Sequence, residues 1–234
     1  MKKVIILGFF AIGCFLMAGM VSAQTTFLEY NSFMFEEDNT PGEVGFPPSD
    51  PGDILTAVGF VANLGPGLEW GPEWDMGIVE LTIVLTDLVS TGEQDMGNGL
   101  FYIIYTGGTI DIMADPFNDL GYTAADYGEE PPNATAPATF WDGEQYLHGE
   151  FSSFWMTYYP MLHTGSFEGQ FVFTSGTQFD PAGIPDGFTF AGDVDPFAAQ
   201  VPIGYDLEAV GQITFDQSVP NEPNTWGQVK NLYR

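Results

Sequence analysis

From Gln24 to Val229 the sequence contains no lysine and no arginine. The four basic side chains of this 234-residue chain sit at its ends: Lys2 and Lys3 at the start, Lys230 and Arg234 in the last five positions. The body therefore forms no salt bridge to lysine or arginine and holds no guanidinium clamp for a phosphate or carboxylate substrate. Its field repels nucleic acid and anionic membrane surfaces. A lyase acting on uronates is disfavoured on the same ground. Cysteine is almost as scarce. Cys14 is the only one, so disulfides, thiolate metal sites and cysteine nucleophiles are excluded from the residues that follow it. Other absences narrow the chemistry further. There is no HxH pair of the kind cupin metal sites need, no GxSxG elbow and no glycine-rich phosphate loop before a helix. An EF-hand loop starting at Asp115 fails because Phe117 and Leu120 stand where a polar ligand and a glycine are required. No long stretch has helical period and no repeat of fixed length recurs, which disfavours a propeller or solenoid.

The chain begins with basic Met1-Lys2-Lys3, an apolar run from Val4 to Met20, and small Val21-Ser22-Ala23. This is the pattern of a signal peptide over 1–23, with a mature chain starting at Gln24 and a secreted, extracellular or cell-surface location. An uncleaved anchor and lipidation of Cys14 after Ala11-Ile12-Gly13 are the other readings. The mature chain then carries 32 acidic and 2 basic residues, a net charge of −30. Those carboxylates must be solvated, spread apart, protonated or neutralised by cations. Calcium is the candidate cofactor, because hard cations prefer carboxylate and carbonyl oxygens. The candidate ligands are Asp115, Asp119, Asp126, Glu129 and Glu130 in a long acidic connection, and Asp193 and Asp195 further on. With 44% hydrophobic and 15% aromatic residues, the chain is too apolar for acidic disorder.

The organising stretch is Phe140 to Thr177, two long strands joined by a loop bracketed by Pro160 and Gly165. On the second arm Phe167, Gly169, Phe171 and Phe173 share one face, the two-residue period of a half-buried strand. On the first arm Leu147 and Phe151 share one parity with Trp155, and Phe154, Met156 and Tyr158 take over the other. That end is expected to be aromatic on both faces. Further strands are expected at Gln24–Glu37, Ile54–Val61, Met76–Leu88, Leu100–Tyr105, Thr109–Met113, Gly187–Phe190 and Tyr205–Phe215. Met76–Leu88 should pair with Leu100–Tyr105 as a hairpin, with a bulge or bend at Gly107-Gly108. About nine short strands joined by Gly/Pro turns predict a single all-β domain over 24–217, an antiparallel β-sandwich or jelly roll.

Few side chains suggest chemistry. His148 and Glu150 share a strand face and could hold a divalent metal, with His163 approaching from the loop. Glu150 and Glu168, expected on adjacent strands, are the pair to test for glycoside hydrolysis. Trp70, Trp74 and Trp155, with Trp141 beside them, could stack on sugars. Residues 218–234 form a proline-bearing linker and a short helical tail. Its Trp226, Lys230, Tyr233 and Arg234 are candidates for sorting or anchoring.

Thr139 to Phe151 (TFWDGEQYLHGEF) followed by Gly169 to Thr177 (GQFVFTSGT) resembles exported β-proteins of environmental bacteria, many of which carry a PEP-CTERM or related sorting tail. The ending Trp226 to Arg234 (WGQVKNLYR) is similar to W-G-x-x-K-x-x-Y-R endings of other exported bacterial proteins. The tail departs from the PEP-CTERM pattern in having no transmembrane helix and a single terminal arginine. The resemblance implies export and a β-fold, with the sorting machinery as partner, and implies no enzymatic activity. The expectation is an exported, acidic, non-enzymatic protein of the cell surface or matrix. The alternatives are a calcium-dependent carbohydrate-binding module, with an extracellular glycan as partner, and then a jelly-roll glycosidase.

Overall fold

The computed structural model describes residues 24–39, 46–66, 70–116, 140–141, 143–180, 185–195, 201 and 204–216. Residues 26–215 form one compact unit; the other unit, 1–25 with 216–234, is described only at Gln24, Thr25 and Asp216. Residues 1–23, expected to be a signal peptide and including Cys14, lie outside the described residues.

Eight strands follow in order: β1 (Gln24–Glu37), β2 (Pro51–Leu64), β3 (Val79–Asp95), β4 (Phe101–Pro116), β5 (Glu144–Tyr159), β6 (Thr164–Ser175), β7 (Phe188–Asp195) and β8 (Leu207–Asp216). Each pairs antiparallel with the next, and the sheet closes into a barrel. The all-β antiparallel expectation holds at that level. The sandwich or jelly roll gives way to a closed up-and-down barrel. The strands are fewer and longer than expected, up to 17 residues in β3. The alternating pattern is common to sandwiches and barrels. What separates them here is the seam between the first and last strands. There Ser32 Oγ donates to the Ala209 carbonyl (3.3 Å) and Asp206 N–H to the Met34 carbonyl (2.9 Å).

Most inward positions are apolar, with Ser32 and Glu36 of β1 among the exceptions. The apolar ones include Tyr30 and Met34 on β1, Leu81, Ile83 and Leu85 on β3, and Phe167, Phe171 and Phe173 on β6. Phe188 and Phe190 of β7 complete an aromatic interior, in which Tyr30 stacks on Phe190 at 4.5 Å. The barrel is thus a filled core. Phe27, Trp70 and Trp74 pack across the end where β1 begins, and Phe46 packs on Tyr158 (5.1 Å) at the other.

On β5 the change of parity is a β-bulge. Phe151 pairs with Phe171 and Ser153 with Gln170, leaving Ser152 as the extra residue. Leu147 and Phe151 face inward before it, and Phe154, Met156 and Tyr158 after it. The end expected to be aromatic on both faces has Phe154 and Tyr158 on the inward face and Trp155 and Tyr159 on the outward one, with Trp155 beside Tyr102. Gly107 and Gly108 take left-handed φ values of 71° and 92°, opposite a left-handed Asp87. A second apolar cluster lies outside the sheet of β1–β4. There Phe35, Val58 and Val84 meet Phe140, whose carbonyl accepts the Thr82 hydroxyl (2.9 Å).

Candidate functional site

Concavities bordered by polar side chains include one on the outer face of the barrel and one at its end. The larger is a groove of about 790 Å³ on the outer face of β5–β8, reaching round to β1 and β2. Its origin is local. Gly192 and Gly211 occupy inward positions and are cross-strand partners, while the next inward pair along the same strands is Phe190 and Ile213. A Cβ on Gly192 would meet Phe167 Cζ at 2.8 Å, and one on Gly211 would meet Tyr30 Oη at 2.5 Å. Without side chains beneath, the wall lies close on Phe167 and Tyr30, and the outward residue before Gly192 is only Ala191. Tyr30 Oη donates to the Ala191 carbonyl (3.2 Å) and ties the floor to the core.

The walls are long and polar. Strand pairing sets Trp155 opposite Glu168, Glu168 opposite Ala191 and Ala191 opposite Gln212 in one row across β5–β8. Ser166, Asp193 and Val210 form the next row. Across the floor stand Asn31, Glu29 and Asn63, with Asn63 Nδ2 donating to Glu29 Oε2 (2.8 Å). An indole face, three carboxylates and several amides thus border one trough, with no cation among them.

The second place is the barrel end where β1 finishes. Glu36 occupies an inward position of β1 and is 5% exposed. The Ser49 hydroxyl donates to its Oε1 (2.7 Å) and lies 2.7 Å from the Ser90 hydroxyl, which accepts Gly92 N–H (2.9 Å). Glu36 Oε2 and the buried Tyr105 hydroxyl make no hydrogen bond, and the phenol is a neighbour of the carboxyl. Burial pushes the Glu36 carboxyl up to about 8, with the Asp53 and Asp206 charges adding to the rise against the Ser49 hydrogen bond. The two other acids are engaged by the backbone. Asp53 accepts the N–H groups of Asn39 and Asp50, both at 2.7 Å. Asp206 accepts Glu36 N–H (2.9 Å), and its own pKa is raised, chiefly by burial.

The residues expected from the sequence fall as follows. Trp155, Asp193 and Glu168, each nominated for a different chemistry, meet in the groove. Asp195 is exposed at the end of β7, on the same face as Asp193. Asp115 lies near the end of β4 opposite Glu80. Asp119, Asp126, Glu129 and Glu130 lie outside the described residues, as do Trp226, Lys230, Tyr233 and Arg234. Among the described residues no group of three His, Cys, Asp or Glu is placed to share a metal ion. Trp74 is buried, and half-buried Trp70 donates its indole N–H to the Gly65 carbonyl (3.1 Å). Trp141 is partly exposed beside Phe140.

His148 Nδ1 lies 2.7 Å from Asp111 Oδ1, which also accepts Gln145 Nε2 (2.7 Å). His163 lies in the β5–β6 turn, towards the opposite end of the barrel from His148. Glu150 pairs with Val172 and Glu168 with Trp155. The two residues are thus four backbone positions apart along β6, about 13 Å at the rise of a strand, a spacing of the backbone and not of the carboxylates. Glycoside hydrolysis needs roughly 5–9.5 Å.

Sequence reasoning did not single out Glu36, Ser49, Ser90 or Tyr105, nor Glu29, Asn31 and Asn63. An acid on the inward parity of Tyr30, Ser32 and Met34 was the available signal for Glu36. The fold and these two places define a filled, eight-stranded up-and-down barrel with an acidic outer trough and a buried carboxyl at one end. No family model, curated protein or solved structure matches the chain.

Proposed function

We propose that the protein is an exported, non-enzymatic barrel of the cell surface or extracellular matrix that binds a glycan in its outer groove. The observation that carries the reading is Trp155 standing opposite Glu168 on the edge of the β5–β8 trough. A sugar presents an apolar face that packs on an indole, and hydroxyls that donate to carboxylates and amide oxygens. Glu29, Glu168, Asp193, Asn31, Asn63 and Gln212 supply such acceptors around one floor. The interior is filled by side chains, so the outer face is the surface offered to a ligand. Calcium enters the proposal as a cation that would lower the mutual repulsion of the groove carboxylates and bridge them to sugar hydroxyls. Export on residues 1–23 and sorting or anchoring by Trp226, Lys230, Tyr233 and Arg234 complete it.

The test is oligosaccharide binding by calorimetry, with and without calcium, for the protein and for Trp155→Ala. Removing the indole platform should weaken binding about tenfold, the equivalent of about 1.4 kcal/mol. The melting temperature should stay close to that of the parent. Undiminished binding by Trp155→Ala would move the ligand away from this groove.

A further inference from the structure

We propose that residues 46–50 form a proton-operated latch over one end of the barrel, closed while Glu36 is neutral and released when Glu36 ionises. These residues are strapped down at several points. The Ser49 hydroxyl bridges Glu36 and Ser90, Ser49 N–H reaches Glu93 Oε2 (3.4 Å), and the Ser49 carbonyl accepts Glu93 N–H (2.9 Å). Asp50 N–H is held by Asp53, and buried Phe46 rests on Tyr158.

The charged and titratable groups around Glu36 come from every neighbouring element. Asp53 comes from β2, Asp206 from the segment before β8, and Tyr105 from β4, while Glu93 of β3 lies beyond Ser49. None of them is a cation, and the described body has no lysine or arginine to supply one. A neutral Glu36 fits this setting. It accepts from Ser49 on Oε1 and has a proton on Oε2 to offer the Tyr105 oxygen beside it. An ionised Glu36 holds the Ser49 hydroxyl more strongly, but it adds a negative charge among Asp53, Asp206 and Glu93 and must regain water that one hydroxyl does not replace. Ser49 and Phe46 cover that end, so moving the strap is the direct route to hydration. Release would widen the adjoining cavity of about 370 Å³, lined by Phe46, Tyr158, His163, Tyr205 and Asp206, onto the aromatic core. Burial already raises the Glu36 carboxyl to about 8, which sets the switch in the mildly alkaline range.

Hydrogen–deuterium exchange of the whole protein tests this at pH 6 and pH 9, with rates corrected for intrinsic chemistry. Amides of residues 46–53 should lose protection more than tenfold at pH 9 relative to those of β5 and β6. In Glu36→Gln, whose amide stays neutral, that pH-dependent loss should vanish. Unchanged protection in the parent protein, or an equal loss in Glu36→Gln, overturns the latch. Should Glu36→Gln fail to fold, Ser49→Ala serves instead. It should leave 46–53 poorly protected at both pH values while β5 and β6 stay protected. Full protection of the strap in Ser49→Ala at pH 6 also overturns the proposal.

Discussion

At the scale of single residues, two glycines and one carboxyl carry most of what distinguishes this barrel. Gly211 has no room for a methyl group: a Cβ there would lie 2.1 Å from the Ala191 carbonyl oxygen and 2.5 Å from Tyr30 Oη. Gly211→Ala is therefore expected to destabilise the protein by about 1–3 kcal/mol, the usual cost of overpacking a core. Urea unfolding will read this as a lower midpoint at unchanged slope. Because the same substitution pushes the floor of the trough outward, it should also weaken whatever the trough binds. Glu36 makes a separate prediction about pH. Its folded value of about 8 lies above the ordinary 4.5. Below about 4.5 the carboxyl is protonated in both states and contributes no pH dependence. Between about 4.5 and 8 the unfolded chain has released a proton that the folded chain keeps, so stability falls as pH rises and levels off above 8. Asp206, also raised, acts in the same direction. Calorimetry should show a melting temperature that drops from pH 5 to pH 8.5, with a shallower drop in Glu36→Gln.

At the scale of elements, the strands were legible where alternation ran unbroken and obscure where a bulge reset it. Gln24–Glu37 has the observed bounds of β1, and the β3–β4 hairpin and the β5–β6 pair appear as expected. The inward face of Val79, Leu81, Ile83 and Leu85 could be read from period two alone. Ser152 and Ser153 could not be recognised as a bulge. Two adjacent serines between Phe151 and Phe154 look the same whether a strand changes parity or carries aromatics on both faces, and only the partner's register decides. Trp155, Glu168 and Asp193 were legible one at a time, because exposed aromatics and acids stand out in a strand. Their meeting depends on pairings between β5, β6 and β7. Glu29 and Asn63 join them only because the sheet closes. The bulge makes its own prediction. Deleting Ser152 removes the extra residue and restores plain alternation through Phe151, Ser153 and Phe154, so both the Leu147 half and the Tyr158 half of β5 keep their apolar face inward. The deletion variant should keep its near-ultraviolet circular dichroism and bind no hydrophobic dye; loss of the native spectrum would show that the bulge itself is required.

At the scale of the whole molecule, charge and closure dominate. From Gln24 onward the sequence has 32 acidic and 2 basic residues and repels itself, and simple salt should screen that repulsion. The melting temperature is expected to rise from 10 to 150 mM sodium chloride. A further rise with calcium at matched ionic strength would reveal a bound cation, at about 2.7 kcal/mol when calcium stands at a hundred times its dissociation constant. A calcium response no larger than the salt response would leave the acids as a solvated surface. Closure has a different consequence, for the order in which the protein assembles. Seven of the eight strand pairings join neighbours in the chain and can form hairpin by hairpin, while the seam between β1 and β8 spans nearly the whole barrel. That seam bears the largest loop entropy and is expected to form last. The eight strands also return the chain to the end from which it set out. A circular permutant joined across the seam by a short linker and opened in the glycine-bearing turn at 97–99 should therefore recover the same barrel. With its former longest-range pairing made local, it should reach that barrel by a different route.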